Sequence, residues 1–264
     1  MSRFDHLELG DVPSSEPDEP ESGVVDQNYY TEKADAAFLE GNFERALAFY
    51  SRSLQYDINL EESWVQQIRC LVELRELQEA VIWSERALTR FPNSAEVLAV
   101  RGVAECRMSN IQAALRFADA ALATKKITPY LWIARGEILI SSNAANARAC
   151  FLKAVEMVPG DIKIYAGIGR AYLVHGCNPE AAEYLQKAVR VDPHSYICWY
   201  WLGKCIEAMG DMKEAQNCYG RAIAANPAFG RARDALHAVS RRGIGAKISG
   251  KLRRIFGVRK VMEG

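Results

Sequence analysis

The sequence lacks most of the features by which enzymes and membrane proteins are recognised. It has four histidines, and its seven cysteines form no CxxC pair, so neither zinc-ligand spacing nor a disulfide framework is present. No run approaches the roughly 18 consecutive apolar residues of a membrane-spanning helix. The N-terminus has no basic start followed by an apolar core, so we expect no secretory signal. These absences favour a cytoplasmic protein with reduced, packed thiols.

The net charge of the chain is zero, but the acidic and basic residues are unevenly distributed along the sequence. The chain has 33 basic and 33 acidic residues. Residues 1–28 nevertheless carry a net charge of −7, and residues 230–264 carry +8. Such ends suggest contacts made by the tails, with each other or with a charged partner. Residues 1–26 are rich in Pro, Glu and Ser, a composition that predicts a disordered acidic tail.

What the sequence does have is an internal repeat. The stretch GNFERALAFYSRSLQYDIN from Gly41 returns as GDMKEAQNCYGRAIAANP from Gly210. Extending this alignment gives six repeats, at 27–60, 61–94, 95–128, 129–161, 162–195 and 196–229. A period near 34 residues indicates supersecondary units that stack on their neighbours.

Large and small residues recur at fixed positions of each repeat. Position 4 is bulky, as Tyr30, Trp64, Leu98, Trp132, Tyr165 and Trp199. Position 8 is small in five repeats, as Ala34, Gly102, Gly136, Gly169 and Gly203. The spacings of 3, 4 and 7 place such residues on one stripe of a helix. Small residues let two helices approach and large ones fill the gap, so each repeat is predicted to be a helical hairpin.

This arrangement resembles the tetratricopeptide repeat family over residues 27–229. The resemblance implies an all-α fold, a right-handed solenoid of about six helical hairpins, and residues 230–242 have the apolar spacing of a capping helix. Position 7, usually leucine in the family, is Lys33, Gln67, Arg101 and Arg135 in the first four repeats. Repeat four also lacks a residue, in SSNAANA. We therefore expect a distorted joint near 124–146.

The resemblance implies a non-enzymatic scaffold or adaptor that binds a peptide or partner protein in a concave groove lined by the first helices. Family members touch the peptide at positions 2, 5, 9, 12 and 13, and the candidates here are Arg69, Tyr130, Ile133, Arg170, Leu173, Tyr200 and Lys204. Arg170 and Lys204 share position 9 of adjacent repeats, which predicts a peptide with an apolar anchor and an acid at repeats four to six. Solvation of the surface is the alternative role of these bases. The lysine–asparagine pair of chaperone-binding members is absent.

The basic tail over residues 243–264 supports a second hypothesis. Its bases surround an apolar helical stripe, a pattern typical of a helix on an anionic membrane surface, and the candidates are Lys247, Lys251, Arg253, Arg254 and Phe256. A peripheral membrane scaffold is therefore the alternative function. Folding back on the acidic tail, nucleic-acid contact or solubility would explain the same bases, although few aromatic residues interleave for base stacking. A self-assembling structural subunit is the third class.

No catalytic residue, cofactor or metal site is predicted. His175 and Cys177 form HGC in a turn, but a second pair of ligands at zinc spacing is missing. Gly167 and Gly169 imitate part of a phosphate loop within a helical pattern, so helix packing explains them better. Trp83 and Trp201 fall off the core pattern, and we expect them to be partly buried between helices.

Overall fold

The computed structural model describes residues 27–124 and 126–241, and within these ranges its regular elements are all helices. The predicted all-α helical-hairpin fold is confirmed. The acidic tail over 1–26 and the basic tail over 243–264 lie outside the described residues. The helices are α1 Gln27–Leu39, α2 Phe43–Tyr56, α3 Glu61–Glu73, α4 Leu77–Arg90, α5 Ala95–Arg107, α6 Ile111–Ala123, α7 Pro129–Leu139, α8 Ala144–Met157, α9 Ile162–Val174, α10 Asn178–Val191, α11 Tyr196–Ala208, α12 Met212–Ala225 and α13 over 230–241.

The described chain forms two compact units, each built of stacked hairpins. The N-terminal unit, up to Pro159, contains α1 to α8, and the C-terminal unit, from Gly160, contains α9 to α13. In each unit the odd-numbered first helix of a hairpin packs on its even-numbered partner, which packs on the next first helix. First helices also touch one another, as α5 touches α7 and α9 touches α11. The first helices of each unit therefore share a surface, called here its inner face.

Glycine at position 8 marks where the two helices of a hairpin approach most closely. A Cβ atom added to Gly203 would lie 2.6 Å from the ring of Tyr219, and one added to Gly136 would lie 2.4 Å from the ring of Phe151. These large residues come from the second helix of the same hairpin and are fully buried. The pattern of small and large residues is thus explained by contact across the hairpin.

The turns inside the hairpins mostly use a left-handed residue. Gly41 and Gly210 have φ of 69° and 92°, and Arg75 and Ser109 take the same place at 67° and 68°. Side chains other than glycine pay a modest cost in this region. Repeat four differs from the others, because its first helix spans only 11 residues and residues 140–143 contain no positive φ. This difference lies within the region where the missing residue predicts a distorted joint.

Tryptophan at position 4 forms a hydrogen bond to the loop that precedes its repeat. The indole Nε1 of Trp64 donates to the carbonyl of Ile58, and that of Trp199 donates to the carbonyl of Pro193, both at 2.8 Å. Trp83, at 3% exposure, is buried more deeply than its position in the pattern suggested. Its ring centroid lies 5.6 Å from that of Trp64.

Helix α13 turns its apolar side toward the C-terminal unit. Ala232 and Val239 are fully buried, whereas Arg233 and Arg241 are exposed. Gln216 of α12 lies 3.4 Å from the hydroxyl of Ser240. The helix therefore covers the end of the last hairpin with a solvated outer side.

Two glycine substitutions in the C-terminal unit should have opposite effects on stability. Gly203→Ala forces a methyl group against the ring of Tyr219, and overpacking of this kind costs about 1–3 kcal/mol. Gly220→Ala, in α12, meets no atom within 4 Å and should gain up to about 1 kcal/mol from helix propensity. Urea unfolding of the full chain followed by circular dichroism would measure both changes. Equal stability of the two variants would contradict the close approach of α11 and α12.

Candidate functional site

Two of the predicted groove residues meet on the inner face of the N-terminal unit. The guanidinium of Arg69, on α3, lies 4.3 Å from the ring centroid of Tyr130, on α7, and 4.9 Å from that of Phe38, on α1. Cations over aromatic faces are attracted by about 0.5–2 kcal/mol. Burial raises the pKa of Tyr130 to about 12. Arg69 thus contacts Tyr130 and Phe38, and these contacts connect three hairpins.

Deeper in the same face lies a charged cluster that the sequence candidates missed. Arg107, on α5, donates from Nε to Oε1 of Glu137 at 2.7 Å and from Nη2 to Oε1 of Glu73 at 3.1 Å. Its Nη1 donates to the carbonyl of Val72 at 3.2 Å. The side chain of Arg107 is 3% exposed. Burial lowers its pKa, but Glu137 raises it by charge and hydrogen bonding, and the net direction is upward.

Aliphatic side chains fill the remainder of this inner face. The predicted groove residue Ile133 is buried, as are Val65, Val72 and Ile140 at family contact positions. A peptide would therefore find little apolar surface at these four positions without moving side chains. On the same face, Arg69 and Tyr130 remain partly exposed.

The other four groove candidates lie in the C-terminal unit, where Lys204 is exposed and the other three are partly buried. Arg170, on α9, places its guanidinium 4.4 Å from the ring centroid of Trp201, on α11. Lys204 follows one turn later with 46% of its side chain exposed, and its Nζ lies 3.9 Å from Oε2 of Glu207. Leu173, near the end of α9, is half-buried. The face of the indole ring attracts the guanidinium.

Tyr200 belongs to an aromatic cluster at the end of this face. Its ring centroid lies 5.3 Å from that of Phe229 and 5.9 Å from that of Tyr219. The hydroxyl of Tyr219 donates to Glu207 at 2.6 Å. Burial and the Glu207 carboxylate raise the pKa of Tyr219. Glu207 is thereby shared between Tyr219 and Lys204, so its neutralising effect on Lys204 is divided.

The polar residues at position 7 pair with position 25 of the preceding repeat. Gln67 donates to Ser51, Arg101 to Glu85 and Arg135 to Asp119. Each pair is 16 residues apart in sequence. These departures from the family pattern are therefore polar contacts between consecutive hairpins. Residues of complementary polarity 16 positions apart in the sequence could have predicted these contacts.

Arg107 also had a signal in the sequence. It occupies position 13 of repeat three, Glu73 occupies position 13 of repeat two, and Glu137 occupies position 9 of repeat four. Opposite charges at equivalent positions of adjacent repeats indicate a contact along the inner face. Repeat three contributed no groove candidate, and Arg107 was missed for that reason.

Titratable groups elsewhere form no recognisable chemical centre in the described chain. Among residues 27–124 and 126–241, no group of three or more His, Cys, Asp or Glu side chains could hold a metal ion. Cys177 lies in the turn with His175, and its Sγ is 3.9 Å from the His175 carbonyl. Across the same ranges, no helix has the length and apolar content needed to cross a bilayer. Lys247, Lys251, Arg253, Arg254 and Phe256 lie outside the described residues, so the membrane role stays a prediction.

Comparisons with known proteins agree with this repeat architecture. A family model described as "Tetratricopeptide repeat" matches residues 176–239. A curated TPR repeat-containing protein of Pseudomonas aeruginosa is 38% identical over 58 residues, which are 22% of this chain and 55% of the relative. The chain therefore contains tetratricopeptide repeat sequence over residues 176–239, and its helical-hairpin fold is the one that such repeats form. It spans about half the length of the curated relative that it matches.

Solved structures support the tetratricopeptide repeat fold over most of the chain. A tetratricopeptide repeat protein from Parabacteroides merdae aligns with a TM-score of 0.52 and 17% identity, covering 81% of this chain and 84% of that one. The APC/C hetero-tetramer Cut9-Hcn1 aligns with a TM-score of 0.50 and 15% identity, covering 81% of this chain and 43% of that one. At these identities the likeness shows the fold alone. Tetratricopeptide repeat proteins are generally non-enzymatic scaffolds that bind proteins or peptides.

The buried cysteines should react slowly with electrophiles. Burial raises the pKa of Cys106, Cys198 and Cys218 to about 11 and that of Cys205 to about 12. At pH 8 the thiolate fraction then falls about 100-fold below that of an ordinary cysteine. Alkylation of the native chain by iodoacetamide, resolved by mass spectrometry, should label the half-buried Cys177 first. Equal labelling of Cys205 and Cys177 before denaturation would contradict this packing.

Proposed function

We propose that this chain is a protein-binding adaptor whose C-terminal unit binds an extended peptide segment across α9 and α11. Protein or peptide binding is the general role of the tetratricopeptide repeat fold. The observation that carries the proposal is the pair of cations Arg170 and Lys204 on adjacent first helices, beside the half-buried Leu173 and the ring of Trp201. This combination fits a peptide with an apolar side chain and an acidic residue.

The charges of α9 and α11 favour a peptide of this kind. Helix α9 contains Lys163 and Arg170 and no acidic residue, and α11 contains Lys204 with Glu207 as its one acid. Glu207 accepts the hydroxyl of Tyr219 at 2.6 Å and lies at the outer limit of ion-pair distance from Lys204. Electrostatic attraction therefore favours an acidic side chain on this face.

The internal contacts of cations on the inner face of the N-terminal unit support the same location. There, the guanidinium of Arg69 lies over two aromatic rings, and Arg107 pairs with Glu73 and Glu137. In the C-terminal unit, Lys204 is nearly half exposed. An exposed cation can be reached by a partner, whereas the charge of a buried cation is already balanced by its own acids.

Selection from a random peptide library would test both the binding and its chemistry. The full chain would be immobilised, and enriched peptides would be synthesised with a fluorophore for anisotropy titration. We expect the enriched sequences to share at least one Asp or Glu next to an apolar residue. Failure to enrich any sequence, or enrichment of basic peptides, would contradict the proposal.

Charge reversal on the proposed face should abolish binding of the selected acidic peptide. Each charge-assisted hydrogen bond contributes about 1.5–3 kcal/mol, so we expect Arg170→Glu with Lys204→Glu to weaken binding about 100-fold or more. The matched control is Arg190→Glu with Lys213→Glu, which changes the net charge equally at exposed sites on α10 and α12. The control should bind within about threefold of the unaltered chain. Equal loss in both variants would indicate general electrostatics, and undiminished binding by the first would exclude this face.

A further inference from the structure

The cluster around Arg107 has the geometry of a ligand site that is already filled. Glu137 binds the guanidinium through two contacts, from Nε to Oε1 at 2.7 Å and from Nη2 to Oε2 at 3.4 Å. Glu73 binds Nη2 at 3.1 Å, and the carbonyl of Val72 binds Nη1 at 3.2 Å. All three guanidinium nitrogens therefore have an acceptor. An ammonium group could not reproduce this planar arrangement.

The acceptors come from two helices on either side of α5. Helix α3 supplies Val72 and Glu73, and α7 supplies Glu137. The carboxylates are shielded from water, with exposures of 14% for the Glu73 side chain and 6% for that of Glu137. Two carboxylates in one sheltered site repel each other unless a cation lies between them. The site therefore requires a cation, and its shape selects a guanidinium.

Neighbouring side chains of the inner face interact with the Arg107 cluster. Tyr130, at the start of α7, interacts electrostatically with Glu137 and Arg107 as well as with Arg69. The ring of Tyr130 and that of Phe38 flank the Arg69 guanidinium. These groups belong to the same inner face as the site.

We propose that Glu73, Glu137 and the Val72 carbonyl form a guanidinium-binding site that the chain fills with its own Arg107. The site clamps α3 to α7 across α5, and its ligand class is a guanidinium, such as an arginine side chain or a small guanidinium ion. It is independent of the peptide face proposed for the C-terminal unit. Arg107 is accordingly an internal ligand whose removal leaves a specific receptor.

Chemical rescue of a variant that lacks the internal ligand tests this assignment. In the full chain, Arg107→Ala should lower the melting temperature, and millimolar methylguanidinium chloride should raise it again. At a hundredfold excess over Kd, the expected rise is about 5–10 °C. Methylammonium chloride at equal concentration should give less than half that rise, and the unaltered chain should respond to neither salt. An equal response to both salts would overturn the proposal.

Two further variants separate specific binding from general stabilisation. Adding Glu73→Gln and Glu137→Gln to Arg107→Ala should abolish the methylguanidinium response, because the carboxylates that bind the cation are gone. Arg135→Ala is the matched control, since Arg135 pairs with Asp119, whose side chain is 64% exposed. It should show no rescue. Rescue that persists without the two carboxylates, or that equals the response of Arg135→Ala, would contradict the site.

Arg107→Lys provides a test if Arg107→Ala does not fold. It retains the positive charge and most of the length but loses the planar donor geometry. We expect its melting temperature to fall by about 5 °C or more, whereas Arg135→Lys at the exposed pair should change it by less than about 2 °C. Arg107→Lys with the melting temperature of the unaltered chain would show that charge alone suffices, which would overturn the guanidinium assignment.

Discussion

The close approach of two helices within each hairpin is the constraint on which the rest of the structure depends. At Gly203 and Gly136, an added Cβ would fall within 2.6 Å of a buried aromatic ring from the partner helix. Because the rings of Tyr219 and Phe151 occupy that space, the second helix takes a fixed position against the first. The next first helix packs on this second helix, so the inner faces inherit their spacing from the glycine contact. A charged side chain on one first helix can then reach its neighbour.

The spacing of apolar and small residues was sufficient to predict the hairpins. Each helix must bury an apolar stripe, and the residues that form this stripe lie close together in sequence. The polar contacts were harder to predict. Arg101, Gln67 and Arg135 appeared only as departures from the family pattern, and their partners at position 25 lie in a different repeat. Burial of an arginine depends on acceptors converging in space, which repeat alignment reveals only when equivalent positions of neighbouring repeats are compared.

A comparison of equivalent positions in neighbouring repeats also explains where the structure places the groove candidates. Arg69 is predicted to contact a ligand, and in the structure its guanidinium lies over aromatic rings of α1 and α7. Nothing at short range distinguishes Arg69 from Arg170, because both occupy position 9 and both stack on an aromatic ring. The two arginines differ in their neighbours. Arg69 lies over rings from two other hairpins. Arg170, on α9, lies over the ring of Trp201 on α11, and the exposed Lys204 follows Trp201 one turn later on α11.

The residue at position 13 determines whether charged side chains of neighbouring repeats pair with each other on the inner face. In the N-terminal unit this position holds Glu73 in repeat two and Arg107 in repeat three. Arg107 pairs with both Glu73 and Glu137. In the C-terminal unit it holds Val174 and Ala208, which carry no charge with which to pair. The position 9 cations there have no equivalent carboxylate at position 13. Because the hairpin framework is shared, the residues at position 13 determine whether charges of neighbouring repeats pair along the inner face.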